Sequence, residues 1–238
     1  MQVKILDITT DALYNISMMA RTCYNSRQKD EIDTRKEFIK GLIKSGHETP
    51  LEFASVVFDI SDVSRVLTHQ LVRHRMASYA QRSQRYCSED GFDYVIPPSI
   101  KKNQVANSLY DELMEDIALL YKSLQQAGVP NEDARMVLPN ACETIIEVKM
   151  NLRTLMNFMN ERLCTCAQWE IRELALAMKK VIVEKYPELE PYLVPKCEKY
   201  GKEFGFCMET KQRREQLKCK RHPRLAEVFE VYNHDKKH

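Results

Sequence analysis

The chain has 238 residues, with 36 Lys and Arg against 34 Asp and Glu, a formal net charge of +2 and a sequence pI of about 8.0. That length suits one sizeable core, or one domain with an appendage, and the near-even charge excludes a polycation, so any pull on nucleic acid must come from local patches. A mean hydropathy of -0.47, with no apolar run of membrane-spanning length, argues against a membrane protein.

Residues 3 to 6 read as a first strand, and the segment Met1 to Asp7 has no signal-peptide hydrophobic stretch. The expectation is a cytoplasmic protein whose eight cysteines are reduced thiols or metal ligands rather than disulfides. Residues 11 to 23 read as a helix. Asp33 to Ser45 reads as a second, with Gly46 placed where a left-handed cap is needed. Phe53 to Ile60 is β-rich and reads as a strand. Val63, Val66, Leu67 and Leu71 then keep 3.6 periodicity, so the spacing predicts a helix whose one face carries Gln70, Arg73 and His74. Residues 77 to 86 read as a loop, and Phe92 to Ile96 as a short strand ending at Pro97-Pro98. A long amphipathic helix over 106 to 127 stops at Gly128, and Pro130 opens a short helix carrying Arg135. Glu143 to Met150 reads as a strand, 152 to 164 and 167 to 185 as helices. The whole is an α+β pattern, a β-sheet core with long helices packed around it. Near Pro191 the composition shifts. From Lys196 onward the chain is rich in Lys and Arg and poor in aliphatics, so we expect a domain over 1–190 and a basic, Cys-containing extension over 191–238.

The most informative segment runs from Arg73 to Tyr86. It holds Arg73, His74, Arg75, Arg82 and Arg85 with Ser78 and Ser83, and no acid and no Lys. Such density of like charge repels itself unless an anion neutralises it. Guanidinium forks and hydroxyls suit phosphate oxygens, whereas a nonspecific basic strip uses Lys as freely as Arg.

Arg73-His74-Arg75, seven residues, then Ser83 resembles the signature of the flavin-dependent thymidylate synthases, and the match runs on through Arg85-Tyr86. Three further stretches are similar to that family, in the family's order. They are Ala20-Arg21-Thr22-Cys23-Tyr24, Gly46-His47-Glu48-Thr49-Pro50-Leu51-Glu52-Phe53, and Asn151 to Phe158 with Arg162 and Ala167-Gln168-Trp169-Glu170. The resemblance covers roughly residues 1 to 190.

It implies reductive methylation of dUMP to dTMP, with methylenetetrahydrofolate as carbon donor and NADPH-reduced FAD as reductant, in a homotetramer whose sites are shared between subunits. Residue by residue, it implies Arg162 as the catalytic cation at the uracil ring. Gln70, Arg73, Gln81, Arg82, Ser83, Gln84, Arg85 and Arg135 match positions around dUMP, with Arg85 and Arg135 on the phosphate. Thr49, Arg73, His74, Arg75, Gln81, Asn151, Arg153 and Asn157 match positions around FAD. His47 falls on the folate or nicotinamide side, and reads equally as a histidine packed after a helix cap. Asn151 also reads as a helix N-cap, and Arg153 and Asn157, at i and i+4, share the face opposite the apolar stripe. Ala80-Gln81 departs from the Asn-Glu of many members, which leaves hydrogen bonding there but no charge. Ser83 has no general base in sequence reach and reads as orienting rather than nucleophilic.

Cys197, Cys207, Cys219 and His222 form the one His/Cys cluster, but their separations of nine, eleven and two intervening residues match usual ligand spacing only at the last. Surface cysteines on a basic tail are the favoured reading, and no metal is assigned. A nucleic-acid module would spread its cations over one face with aromatic platforms, and a different nucleotide flavoprotein would lack the phosphate cluster. Neither matches this pattern, and neither a nucleic-acid nor a membrane partner is expected.

Overall fold

The computed structural model describes residues 1–199, 205–219 and 221–229. In chain order the elements are β1 (Gln2–Ile8), α1 (Ala12–Cys23), α2 (Arg35–Lys44), β2 (Ser55–Ser64), α3 (Arg65–Leu71), β3 (Ser78–Gln81), α4 (Pro98–Lys101), α5 (Gln104–Gln126), α6 (Asn131–Ala134), β4 (Glu143–Asn151), α7 (Leu152–Arg162), α8 (Trp169–Lys185) and α9 (Lys211–Gln216). Short 3₁₀ turns lie between them, one over Thr49–Phe53. The strands form an antiparallel sheet in the order β1-β2-β4-β3, so the fold is mixed α and β as the sequence pattern suggests. No described helix is long and apolar enough to cross a membrane.

Sheet and helices follow from side-chain period. In β4 Thr144, Ile146, Val148 and Met150 are buried while their neighbours face outward, a period of two. In α7 Leu152, Leu155, Met156, Phe158 and Met159 are buried, a period near 3.6. Asn151 ends the strand and starts the helix. Its Oδ1 accepts the Thr154 N–H at 2.8 Å, and the Leu152 N–H goes to the Ala54 carbonyl at 2.9 Å.

Two compact units divide the chain. The first holds residues 1–4 and 58–148, the second residues 5–57 and 149 onward. In the first, α5 buries Met114 and Tyr121, and the Tyr121 hydroxyl accepts the Glu89 N–H at 3.2 Å. In the second, α1 packs on α2 and α7 on α8. Arg21, in one of the family-like stretches, belongs to this core. It stacks on Phe38 at 4.1 Å and joins Arg35 on the Asp30 carboxylate.

The structure corrects three expectations. The helix α3 stops at Leu71, so Arg73 and His74 do not continue a helical face with Gln70; they lie on the turn after it. The turn is held by backbone bonds from the His74 N–H to the Leu71 carbonyl at 3.1 Å and from the Ala77 N–H to the His74 carbonyl at 3.2 Å, and the Tyr79 hydroxyl reaches both carbonyls at 2.8 Å. The expected loop over 77 to 86 contains an edge strand, β3, since pairing with β4 overrides its polar composition. The expected strand at 92 to 96 is only a single antiparallel bridge, Tyr94 to Cys142.

Candidate active site

In the first unit the anion-seeking residues gather after α3 and around α6. Arg85 donates from both Nε (3.0 Å) and Nη2 (2.9 Å) to one carboxylate oxygen of Glu132. Arg135 is tied to the same residue, its Nε donating to the Glu132 carbonyl at 3.1 Å. The two arginines assigned to a phosphate are therefore neighbours, 47 residues of chain after Arg85 being folded back to make them so. Arg73 and Arg75 are exposed and have no ion-pair partner among the described residues. That leaves two guanidinium forks available to an anion.

The remaining arginine of the segment, Arg82, is anchored, as is Arg65 at the start of α3. Arg82 donates to the Ser88 carbonyl at 3.2 Å and lies 3.4 Å from the Glu89 carboxylate. Arg65 donates to the Arg82 carbonyl at 2.9 Å. Glu89 is buried with one carboxylate oxygen unpartnered, and burial raises its pKa against the pull of Arg82 and Arg65. Gln84 and Gln81 also turn inward. Gln84 Nε2 meets Cys142 Sγ at 3.7 Å, and Gln81 Nε2 donates to Thr68 Oγ1 at 3.1 Å. Burial pushes the Cys142 thiol up to about 11, so it stays protonated and non-nucleophilic at neutral pH. Among the described residues Ser83 Oγ meets only the Arg85 N–H, at 3.3 Å, and has no base beside it.

In the second unit two distant motifs meet. Arg153 Nη1 donates to Glu52 at 2.6 Å and its Nε lies 3.6 Å from Glu48, linking the His47-to-Glu52 stretch to α7 across 101 residues. Hydrogen bonding by Glu52 raises the Arg153 pKa further. Asn157 is exposed one turn on, on the face expected. Asn151 caps α7, the role it can play without any ligand, and its amide nitrogen is left over for other partners. Gly46 takes φ 79°, and the His47 N–H returns to the Leu42 carbonyl at 2.9 Å, closing a Schellman cap. The His47 ring is exposed, as is Thr49, so the reading of His47 as a packed histidine is overturned. Arg162 is the last residue of α7, where a cation meets the negative end of the helix.

Sequence reasoning missed the acids. Glu132, Glu89, Glu48 and Glu52 set the charge that each arginine presents, yet none belongs to the arginine segment. The legible signs were Glu48 and Glu52 inside the Gly46-to-Phe53 stretch, and Glu132 three residues before Arg135.

Comparison with known proteins then fixes the family. The family model for thymidylate synthase complementing protein matches residues 4–188. Curated relatives called flavin-dependent thymidylate synthase match over most of their length. That of Nitratidesulfovibrio vulgaris is 40% identical over 93% of this chain and 95% of its own. That of Clostridium tetani is 42% identical over 82% and 88%, and that of Pyrococcus abyssi 39% identical over 87% and 89%. The chain belongs to the thymidylate synthase complementing protein family.

Proposed function

We propose that the chain is a flavin-dependent thymidylate synthase. It converts dUMP to dTMP, taking the carbon from methylenetetrahydrofolate and the reducing equivalents from NADPH. The observation that carries this reading is the Arg85–Glu132–Arg135 cluster. Arg85 aims two N–H donors at one oxygen of the Glu132 carboxylate, and a phosphate oxygen accepts the same pair of bonds, so an arginine that already grips the one anion suits the other.

The chain's own residues then divide the work. Arg85 and Arg135 hold the phosphate, while Gln70, Arg73, Gln81, Arg82, Ser83 and Gln84 shape the nucleotide site around it. Arg162 places a permanent charge against the uracil, favouring negative charge on N3 and O4 and so raising electron density at C5. Ser83 orients the ring, which agrees with its lack of a base. Cys142, held protonated, takes no part.

FAD, when bound, supplies reducing equivalents drawn from NADPH. The donor set fits it: Arg73 and Arg75 are unneutralised forks suited to a diphosphate, with His74 between them and Gln81 following. Thr49, Asn151, Arg153 and Asn157 supply hydroxyl, amide and guanidinium donors. His47, exposed, serves the folate or nicotinamide side. Copies of the chain share these sets in a homotetramer. An apolar stripe on α5 (Val105, Leu109, Leu113 and Leu120, all exposed) supports self-association, because such a stripe asks for cover. Residues 1–190 form the catalytic domain, 191–238 an extension, and the enzyme works in the cytoplasm without nucleic-acid or membrane partners.

The test is a purified protein whose yellow colour bleaches on NADPH addition and which forms dTMP only with dUMP, methylenetetrahydrofolate, FAD and NADPH together. Product that persists after complete removal of flavin rejects the reading.

A further inference from the structure

The extension from Lys196 onward is poor in aliphatic residues, and among the described residues of 205–229 none is buried. A short segment without a core of its own needs a staple, such as a disulfide or a metal ion. Its cysteines are free, with no disulfide among them. Side chains from its two ends meet at one point instead. The Lys196–Glu198 turn packs against α7 and sets Cys197 and Glu198 side by side in the chain, and His222 returns to them across 24 residues. Cys197 Sγ, a Glu198 oxygen and a His222 ring nitrogen lie within 4.8 Å of one another, the one such group of His, Cys, Asp and Glu among the described residues. Glu198 was no part of the cluster read from the sequence.

We propose that Cys197, Glu198 and His222 are the protein ligands of a Zn²⁺ ion that fastens the extension to α7. Thiolate, carboxylate and imidazole are all zinc donors, and on a tetrahedral ion with bonds of about 2.0–2.2 Å an N and an O ligand stand about 3.4 Å apart. His222 Nε2 and Glu198 Oε1 lie 3.3 Å apart. An ion pair alone accounts for that distance, but it has no use for a thiol as the third corner. A Cβ at position 205 would overlap the Nδ1 edge of the His222 ring, so Gly205 closes that edge and Nε2 is the nitrogen turned to Glu198. The Glu198 and His222 side chains are only 10% and 13% exposed, so bulk water competes little for the ion. Arg221 Nε lies 3.5 Å from the same Glu198 oxygen and orients the carboxylate from outside, the support that metal ligands commonly have. His222 is fixed through its backbone. Arg214 Nη2 donates to the His222 carbonyl at 2.6 Å, and the Cys207 N–H to the Pro223 carbonyl at 2.7 Å. Cys197 and His222 also line a cavity of about 20 Å³ together with Cys164, Cys166, Cys207 and Cys219, whose thiols stand outside the group. That is room for one water, which takes the fourth position. Binding expels the Cys197 thiol proton to solvent, and thiolate and carboxylate then cancel the charge of the ion.

Metal analysis of the full-length protein from zinc-supplemented cells should find about one zinc per chain. Co²⁺ added after chelation should give tetrahedral d–d bands with thiolate-to-metal charge-transfer absorption. Cys197→Ser, Glu198→Gln and His222→Asn should each drop the metal content to near zero, while Cys23→Ser, Cys164→Ser and Cys207→Ser keep it. Titration of the wild-type apoprotein with zinc against a chromophoric chelator gives a readout that no variant's misfolding can spoil. Trypsin should cut the extension of the wild-type protein faster with chelator than with zinc. Wild-type protein that takes up no zinc and shows no cobalt bands, or a His222→Asn or Glu198→Gln variant that keeps the full metal content, overturns the assignment. A cleavage rate that zinc leaves unchanged overturns the fastening role.

Discussion

If Arg85 grips a phosphate, Glu132 is its competitor, and removing the carboxylate should tighten dUMP binding. The Arg85 and Glu132 side chains are 51% and 49% exposed, so their pair is worth only about 0.2–1 kcal/mol. The nucleotide must break that pair, and the displaced carboxylate then stands near an incoming dianion. At roughly 5 Å in the dielectric of water this adds about 1 kcal/mol per unit charge before screening by salt. Glu132→Gln keeps the backbone carbonyl that holds Arg135 and removes only the charge. We therefore expect the dissociation constant for dUMP to fall about fivefold, corresponding to about 1 kcal/mol. Isothermal titration at two salt concentrations measures it, with deoxyuridine as the control. Deoxyuridine should bind both proteins equally, and the gain for dUMP should shrink at high salt. Weaker dUMP binding by Glu132→Gln, or an equal gain for deoxyuridine, refutes the phosphate assignment of Arg85.

Arg162→Ala should lower kcat by roughly 10²–10³ while FAD content stays near that of wild type, because its charge acts as electron density builds on the pyrimidine; normal turnover means another residue fills that role. Ser83→Ala should lose about tenfold in turnover and Cys142→Ala should remain active, since a hydroxyl hydrogen bond is worth about 0.5–1.5 kcal/mol and a lost nucleophile far more. A folded, FAD-loaded variant with no detectable dTMP reinstates a nucleophile at that position. Leu109→Glu with Leu113→Glu should shift the oligomer to a smaller species on size-exclusion chromatography, these side chains being 62% and 53% exposed on α5. Asp30, bonded by Arg35, Ser17 and Arg21, has a pKa lowered from its ordinary value, chiefly by the Arg35 hydrogen bond. Its stabilisation is therefore present above the unfolded value of about 3.9 and lost as pH falls through the folded one. Asp30→Asn should cost about 1.5–3 kcal/mol at neutral pH in urea unfolding, with the gap to wild type closing in acid.

The elements that a local period dictates were legible. β4 shows its alternation and α7 its apolar stripe without help from the rest of the chain. Ser78-Tyr79-Ala80-Gln81 carries no such period, and it is a strand only because β4 offers it an edge. α3 ended early for a similar reason: its apolar periodicity stops at Leu71, and the carbonyl there takes the His74 N–H and the hydroxyl of Tyr79, eight residues on. At the candidate site the arginines announced themselves by density. Their counter-ions did not, since an acid 47 or 101 residues away leaves no mark on the spacing. The cysteines show the same limit, because Cys164 and Cys166 join the others only through the fold.

Asn151 belongs to a strand and a helix at once, and no loop separates β4 from α7. The junction therefore has no slack. A residue inserted after Lys149 must either undo the pairing of Met150 and Asn151 or turn the following helix by about 100°. The second outcome carries Arg153 away from Glu48 and Glu52 and re-aims Asn157 and Arg162 together. Length, more than composition, is what this junction has to preserve, and changes in residue number should be tolerated in surface turns well before they are tolerated here.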